Sequence, residues 1–352
     1  MILIKRVIVA LIGRTRKMLV LPKLVIGFLI YLVTNKTSPA AYQSMITMFC
    51  VTSGRSNDWL SRLIGVFKPP YSFSDAKGVL GDMVNEERER VASVLRERGY
   101  YVFENRLHDE LCDRLIQYAT THECKIRPMD GESQGRSVTT IYHRGEPQAV
   151  RYDFDTQSLL NNPDVQNLLA DLSFAAVAQE YLGARPVLDV LSMWWHTNFS
   201  DKPDMEAAQY YHFDMDRPKW LKYFIYLTDV DTTNGPHIFV AGSNRSGGIP
   251  ANLLKKGYAR LTDEEVEACY DRKDIIEFVA PRGTIIAEDT RGLHKGRHVV
   301  NGDRLMLQIQ FSNSMFGGFY PKARLGEKMT EELIIKSRRF PKLYATYINA
   351  KS

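Results

Sequence analysis

The spacing of apolar residues changes character near Pro186. Upstream of it the period is helical. Val84, Val91, Val94 and Leu95 share one side of residues 84–98, which predicts a helix ended by Gly99. Tyr100-Tyr101-Val102-Phe103 then reads as a buried strand, and Leu111, Leu115 and Tyr118 mark a second amphipathic helix. A third helix is predicted over 162–183. Asn162 caps it, Pro163 suits its first turn, Val165, Leu168, Leu169 and Leu172 form its stripe, and Gly183 terminates it. Residues 123–160 between the second and third helices are polar and turn-rich. That is long for a connector and reads as a lid or substrate loop.

Downstream, short β-like runs follow one another: 187–198, 210–214, 221–228, 237–240, 275–279, 284–287 and 305–311. Turn clusters separate them, among them Asn234-Gly235-Pro236 and Pro281-Arg282-Gly283. Strands at this density predict a barrel or a double-sheet jelly roll. A polar helical insert is expected at 251–273, and a helical tail from 327 to 347. The predicted organisation is an N-terminal segment (1–60), a jelly-roll domain (84–320) and a C-terminal tail (321–352).

Composition narrows the class. The chain has 352 residues, 44% of them hydrophobic and 25% charged, which excludes a disordered chain, a collagen or a polytopic membrane protein. Its four cysteines lie far apart, so neither a disulfide framework nor a structural zinc site is expected. The charge is asymmetric. No acid precedes Asp58, while eight bases do, so a total of +5 leaves the remainder at −3. A mildly acidic body argues against nucleic acid as a partner.

The basic N-terminus is itself apolar, but its longest uninterrupted apolar run, Leu24 to Val33, is too short for a simple bilayer span. Four readings stand: a signal-peptide core, an organelle presequence, a helix packed on the body, and a peripheral anchor at the membrane interface. The last has Arg14, Arg16, Lys17 and Lys23 meeting anionic lipid.

The sharpest local signal is Tyr211-His212-Phe213-Asp214. On a strand His212 and Asp214 share one face, with Cα atoms about 7 Å apart, and can converge on one metal ion. A second histidine would complete a two-histidine, one-carboxylate facial triad, the ligand set of non-haem Fe(II) oxygenases. His294 and His298 are the candidates, and His294 directly follows a strand pair. Arg304 opens the next alternating strand, Leu305 to Phe311. A metal-binding histidine followed by such an arginine suits a dicarboxylate cosubstrate, one end on the metal and the other on a guanidinium fork.

The order His212-x-Asp214, His294, Arg304, with the turn Asn234-Gly235-Pro236…Gly242-Ser243-Asn244, resembles the phytanoyl-CoA dioxygenase family of Fe(II)/2-oxoglutarate oxygenases. The resemblance covers roughly 84–315. Ala241 and Asn244 stand where that family has proline and histidine. It implies an α+β fold with a mainly β core, a double-stranded β-helix of jelly-roll or cupin type with flanking helices. It also implies Fe(II) on His212, Asp214 and His294, with 2-oxoglutarate and O2 as cosubstrates. Arg304, and more loosely Asn198, would contact 2-oxoglutarate, and the spacing to Arg304 favours His294 over His298.

The expected reaction is hydroxylation of an unactivated C–H with release of succinate and CO2. Desaturation, cyclisation or epimerisation by the same centre are alternatives, as is a non-catalytic jelly-roll binding module. The N-terminus favours a lipid or glycolipid among small-molecule substrates. The intracellular supply of Fe(II) and 2-oxoglutarate favours the cytoplasm, at the face of a membrane. Import with a cleaved presequence is the alternative, and oligomeric state is not legible. Four further residues complete the expectations. His237 lines the pocket or sits in its turn, one of Trp194 and Trp195 walls the pocket, and Arg291 meets an anionic substrate or solvent.

Overall fold

Three helices open the described chain: α1 (Val20–Thr34), α2 (Pro39–Thr52) and α3 (Arg55–Phe67). The structure is a computed structural model that describes residues 19–73, 76–131, 138–320, 323–326 and 328–348. Arg14, Arg16 and Lys17 therefore lie outside the described residues.

Helix α1 buries Leu24, Gly27, Phe28 and Tyr31, a stripe at helical spacing. Gly27 allows the crossing with α2, because a Cβ there would lie 2.2 Å from the Ala41 Cβ. Helix α2 starts on Ser38, whose Oγ accepts from Ala41 N, with Pro39 in the first turn. Leu24, Phe28, Met45, Phe49, Leu60 and Ile64 share one core with Phe213, Leu293 and Phe316 of the body. Among the described residues, the N-terminal segment packs one apolar side into the fold, and its expected end, residue 60, falls inside α3. The opposite side of α1 stays bare, with Leu21, Val25, Ile26, Leu29, Ile30 and Val33 exposed. No helix among the described residues is long and apolar enough to cross a membrane.

A small ribbon of β1 (Lys77–Gly78) and β2 (Gly81–Asp82) precedes α4 (Asn85–Arg98), β3 (Tyr100–Val102) and α5 (Asp109–Thr121). Helix α4 carries Glu86 and Glu87 in its first turn and Arg96 and Arg98 in its last, matching the helix dipole. It stops at Gly99, which takes a left-handed φ of 86°.

The turn-rich stretch 123–160 contributes three short strands to the large sheet. It holds β4 (Cys124–Ile126), β5 (Thr139–Thr140), β6 (Arg151–Asp153) and α6 (Thr156–Leu160), with 132–137 outside the described residues. The helix expected over 162–183 is two helices, α7 (Pro163–Ala170) and α8 (Leu172–Leu182). Asp171 divides them. Its carboxylate accepts from Ser173 N at 2.9 Å and from Val79 N at 2.6 Å, so it caps a new helix instead of continuing the old one.

The remaining elements are β7 (Val187–Thr197), β8 (Trp220–Tyr226), β9 (His237–Val240), α9 (Ala251–Leu254), α10 (Asp263–Glu267), β10 (Ile275–Phe278), β11 (Ile285–Glu288), β12 (His294–Gly296), β13 (Asp303–Ser312) and α11 (Glu331–Arg339). Eight strands form one antiparallel sheet in the order β3-β11-β8-β13-β7-β6-β4-β5, and three form a second, β10-β9-β12. This is the expected jelly roll with flanking helices.

Alternation sorts the large sheet's side chains. Trp195, Tyr223, Ile225, Leu305 and Leu307 face the helices and make the main core. Trp194, Phe224, Tyr226, Ile286 and Met306 face the other way, where they meet Phe239 and Phe278 of the small sheet. The tail is only partly helical, but Phe340, Leu343, Tyr344 and Tyr347 join the main core.

Candidate metal centre

Residues 210–214 were expected to form a strand. They form only isolated bridges, Tyr211 with Leu261 and His212 with His294. That second bridge builds the centre. His212 and His294 exchange both backbone bonds, at 3.0 and 2.9 Å, and Asp214 N donates to Thr290 O at 2.7 Å. Two segments far apart in sequence are thereby held side by side. The imidazole centroids lie 4.3 Å apart. One ligand atom from each of His212, Asp214 and His294 lies within 4.8 Å of the others, the only such group of three among the described residues.

The tautomers suit a metal. Nδ1 of His212 faces Tyr210 O at 2.9 Å, and Nδ1 of His294 faces Gly292 O at 3.0 Å. A carbonyl only accepts, so each Nδ1 carries the proton and each Nε2 presents its lone pair. Burial pushes the His212 pKa well below its ordinary value, so the ring is neutral, as a ligand must be.

Burial opposes ionisation of Asp214, but the Lys222 ammonium overcomes it and holds the carboxyl well below the usual range. Lys222 Nζ lies 2.6 Å from Asp214 Oδ2 and 3.2 Å from Asp216 Oδ2. Burial likewise disfavours the Lys222 charge, and the two carboxylates prevail and raise its pKa. This lysine orients the carboxylate ligand, as outer-shell partners do. Sequence reading missed it. Its signal is a lysine within the otherwise apolar run Trp220-Leu221-Lys222-Tyr223-Phe224-Ile225.

His298 stays outside the donor group. His237 is inside the barrel, its ring 5.7 Å from that of His294 and 4.7 Å from that of Phe224. Its Nε2 lies 2.9 Å from Glu288 Oε2, and Glu288 Oε1 has no hydrogen-bond partner. Burial pushes the Glu288 carboxyl up to about 8. Glu288 is a second residue that sequence reading missed as a site residue; a carboxylate closing the apolar strand Ile285-Ile286-Ala287 was its signal.

Arg304 lies across from His196 in the β13–β7 ladder. Its Nη2 donates to His196 Nδ1 at 2.7 Å, its Nη1 donates to Gly235 O, and its Nε has no partner. Asp303 is taken by Arg144 and Glu288 by His237, and no carboxylate among the described residues reaches Arg304. The result is a buried guanidinium with a free donor and no counter-charge. Such a group calls for an anion. Asn198 sits past the end of β7 and is exposed, so the structure does not bring it to this interior.

Trp195 lies in the main core, while Trp194 walls the interior with its Nε1 unpartnered. Arg291 is neither solvated nor free. It is buried between Asp289, 2.8 Å from Nη2, and Asp58, 2.8 Å from Nη1.

The donor set, its tautomers and its charge fit a divalent iron-type ion with positions left open for other ligands. Arg304 fits the far carboxylate of a dicarboxylate.

No protein-family model matches the sequence, and no curated protein matches it, so the resemblance to phytanoyl-CoA dioxygenases has no such match behind it. Solved structures do match. The non-haem alpha-ketoglutarate-dependent epimerase SnoN from nogalamycin biosynthesis shares 18% identity over 65% of this chain and 84% of its own, at a TM-score of 0.44. EctD from S. alaskensis, solved with 2-oxoglutarate and 5-hydroxyectoine, shares 19% over 76% and 96%, at 0.47. HygX from Streptomyces hygroscopicus, solved with nickel and 2-oxoglutarate, shares 14% over 69% and 92%, at 0.43. These likenesses are remote, and the chemistry of this chain rests on its own side chains.

Proposed function

We propose that the chain is an Fe(II)- and 2-oxoglutarate-dependent oxygenase that hydroxylates a C–H bond of a small-molecule or lipid-type substrate. The observation that carries this reading is one interior holding both the His212–Asp214–His294 donor set and the acid-free, buried Arg304. When bound, the metal, 2-oxoglutarate and O2 supply an oxidant able to attack an unactivated C–H, with release of succinate and CO2.

The protein's own part is binding and exclusion. The two histidines present neutral Nε2 lone pairs, and Asp214 supplies the single negative charge. Lys222 keeps the Asp214 carboxylate in one orientation. Arg304 takes the distal carboxylate through its planar fork, which lysine lacks. Phe224, Phe239, Phe278 and Met306 keep the interior apolar and limit side reactions with water. An intact carboxylate at 214 also favours hydroxylation over halogenation, which by family resemblance needs a small residue there.

The bare side of α1, together with Lys23 and the basic sequence that precedes the helix, supports peripheral attachment to an anionic membrane. Fe(II) and 2-oxoglutarate are intracellular supplies, which supports its cytoplasmic face. The same surface supports a lipid or glycolipid substrate.

The test is anaerobic loading with Fe(II) and 2-oxoglutarate, then oxygen, against lipid, glycolipid, acyl-CoA and amino-acid pools. Succinate release coupled to a product bearing one added oxygen is expected. A product of unchanged oxygen content assigns desaturation, cyclisation or epimerisation instead. Failure of the wild-type chain to bind Fe(II) leaves only a binding module.

A further inference from the structure

A cavity of about 370 Å³ opens between α3, the end of α4, the end of α8 and the loop after β9. Besides Arg291, four cations from separate elements line it: Arg62 on α3, Arg96 on α4, Lys219 just before β8 and Arg245 after β9. The one carboxylate on the wall, Asp58, is already engaged. It accepts from Arg291 at 2.8 Å and from Ser246 Oγ at 2.5 Å. Arg291 is itself held by Asp289, so this trio leaves little charge to offset the four cations.

The cations lack close acids. Arg96 reaches the Glu180 carboxylate only at 3.9 Å, and among the described residues no carboxylate lies in ion-pair range of Arg62, Lys219 or Arg245. Lys219 is the most telling. Its ammonium donates to Tyr181 O at 2.7 Å and lies 4.1 Å from the Tyr181 ring centroid. Burial, with Arg291 adding repulsion that Asp289 and Asp58 only partly offset, pulls its pKa down to about 7. An ammonium so placed is stabilised by whatever anion enters beside it.

We propose that this cavity binds a phosphate dianion, free or as a monoester, at a site distinct from the metal centre. A carboxylate satisfies one guanidinium and leaves the other cations repelling one another. A phosphate offers three terminal oxygens and a double charge, enough for several donors at once. The source is either a soluble phosphate or a phosphomonoester lipid headgroup. The headgroup is a candidate because α3 also exposes Trp59, Val66 and Phe67.

The test is calorimetric titration of the full chain with inorganic phosphate, with acetate at matched ionic strength as control. Saturable binding of phosphate but not acetate is expected. Lys219→Met, which keeps the stem, and Arg62→Gln, on the exposed side of α3, should each weaken it by about tenfold or more. Arg304→Lys should bind phosphate like the wild type. Heats that follow ionic strength alone, wild-type phosphate affinity in both cavity variants, or loss of binding in Arg304→Lys would each overturn the proposal. Vesicles of phosphatidylcholine with phosphatidic acid separate the sources. Weakened phosphate binding in their presence, not seen with phosphatidylglycerol at equal charge, assigns the headgroup. Phosphate binding unaffected by such vesicles assigns a soluble ligand.

Discussion

Single residues decide the chemistry, and they were unequally legible. His212, Asp214 and His294 were readable because metal ligation restricts residue type and spacing. Lys222 and Glu288 were not, because a charge inside an apolar strand looks like an ordinary interruption until its partners are seen. His212→Ala or Asp214→Ala should lower Fe(II) affinity by about 100-fold or more, read by anaerobic titration. Wild-type affinity in both would remove the assignment. Lys222→Met should cost about tenfold, and more at low pH, because without the ammonium the buried Asp214 carboxyl protonates more readily. Metal affinity measured across pH checks this; a loss independent of pH would indicate mere loosening. Arg304→Lys should raise the apparent KM for 2-oxoglutarate with iron affinity little changed.

Glu288 predicts a pH effect on stability. Its folded pKa of about 8 lies above the ordinary 4.5, so the folded state holds a proton that the unfolded chain has released in between. Its stabilising share is full below the unfolded value and is lost as pH rises through the folded one. Melting of the metal-free chain between about pH 5 and about pH 8 should therefore fall less steeply in Glu288→Gln. Parallel curves for both chains would refute it.

At the scale of elements, periodicity found helices and strands where one competitor acts alone. Asn85–Arg98 was legible because stripe, terminal charges and Gly99 agree. The single helix over 162–183 was not, since Asp171 is compatible with a helix until Val79 arrives to share its carboxylate. Nor was the sheet within 123–160. Strands as short as Cys124–Ile126 and Arg151–Asp153 carry too few residues for an alternation to register, and the neighbouring β7 makes them strands. The N-terminal helices show the same dependence on context. Phe49 stacks on Phe213 at 5.3 Å, between two of the proposed metal ligands in sequence. Phe49→Ala should destabilise the fold by about 3–5 kcal/mol, measured by denaturant unfolding. A cost within experimental error would mean α2 contributes nothing to the body.

For the whole molecule, the described N-terminal helices pack into the fold on one side and leave the other side of α1 bare, which is where the proposed anchoring is tested. The full chain should sediment with anionic vesicles, and salt should release it only in part, because apolar contacts are unscreened. A chain that stays in the supernatant removes the anchor reading, and N-terminal sequencing then separates a presequence from a packed helix. A chain beginning at residue 60 should aggregate, since it uncovers Phe213, Leu293 and Phe316. The reciprocal bridge between His212 and His294 carries a last consequence. Main-chain bonds already join these two distant stretches, so an incoming ion meets a preassembled cradle and has no chain to gather. Chelation should then be silent to protease digestion, leaving the fragment pattern of the stripped chain the same as that of the loaded one, unlike domains whose ion is a folding nucleus.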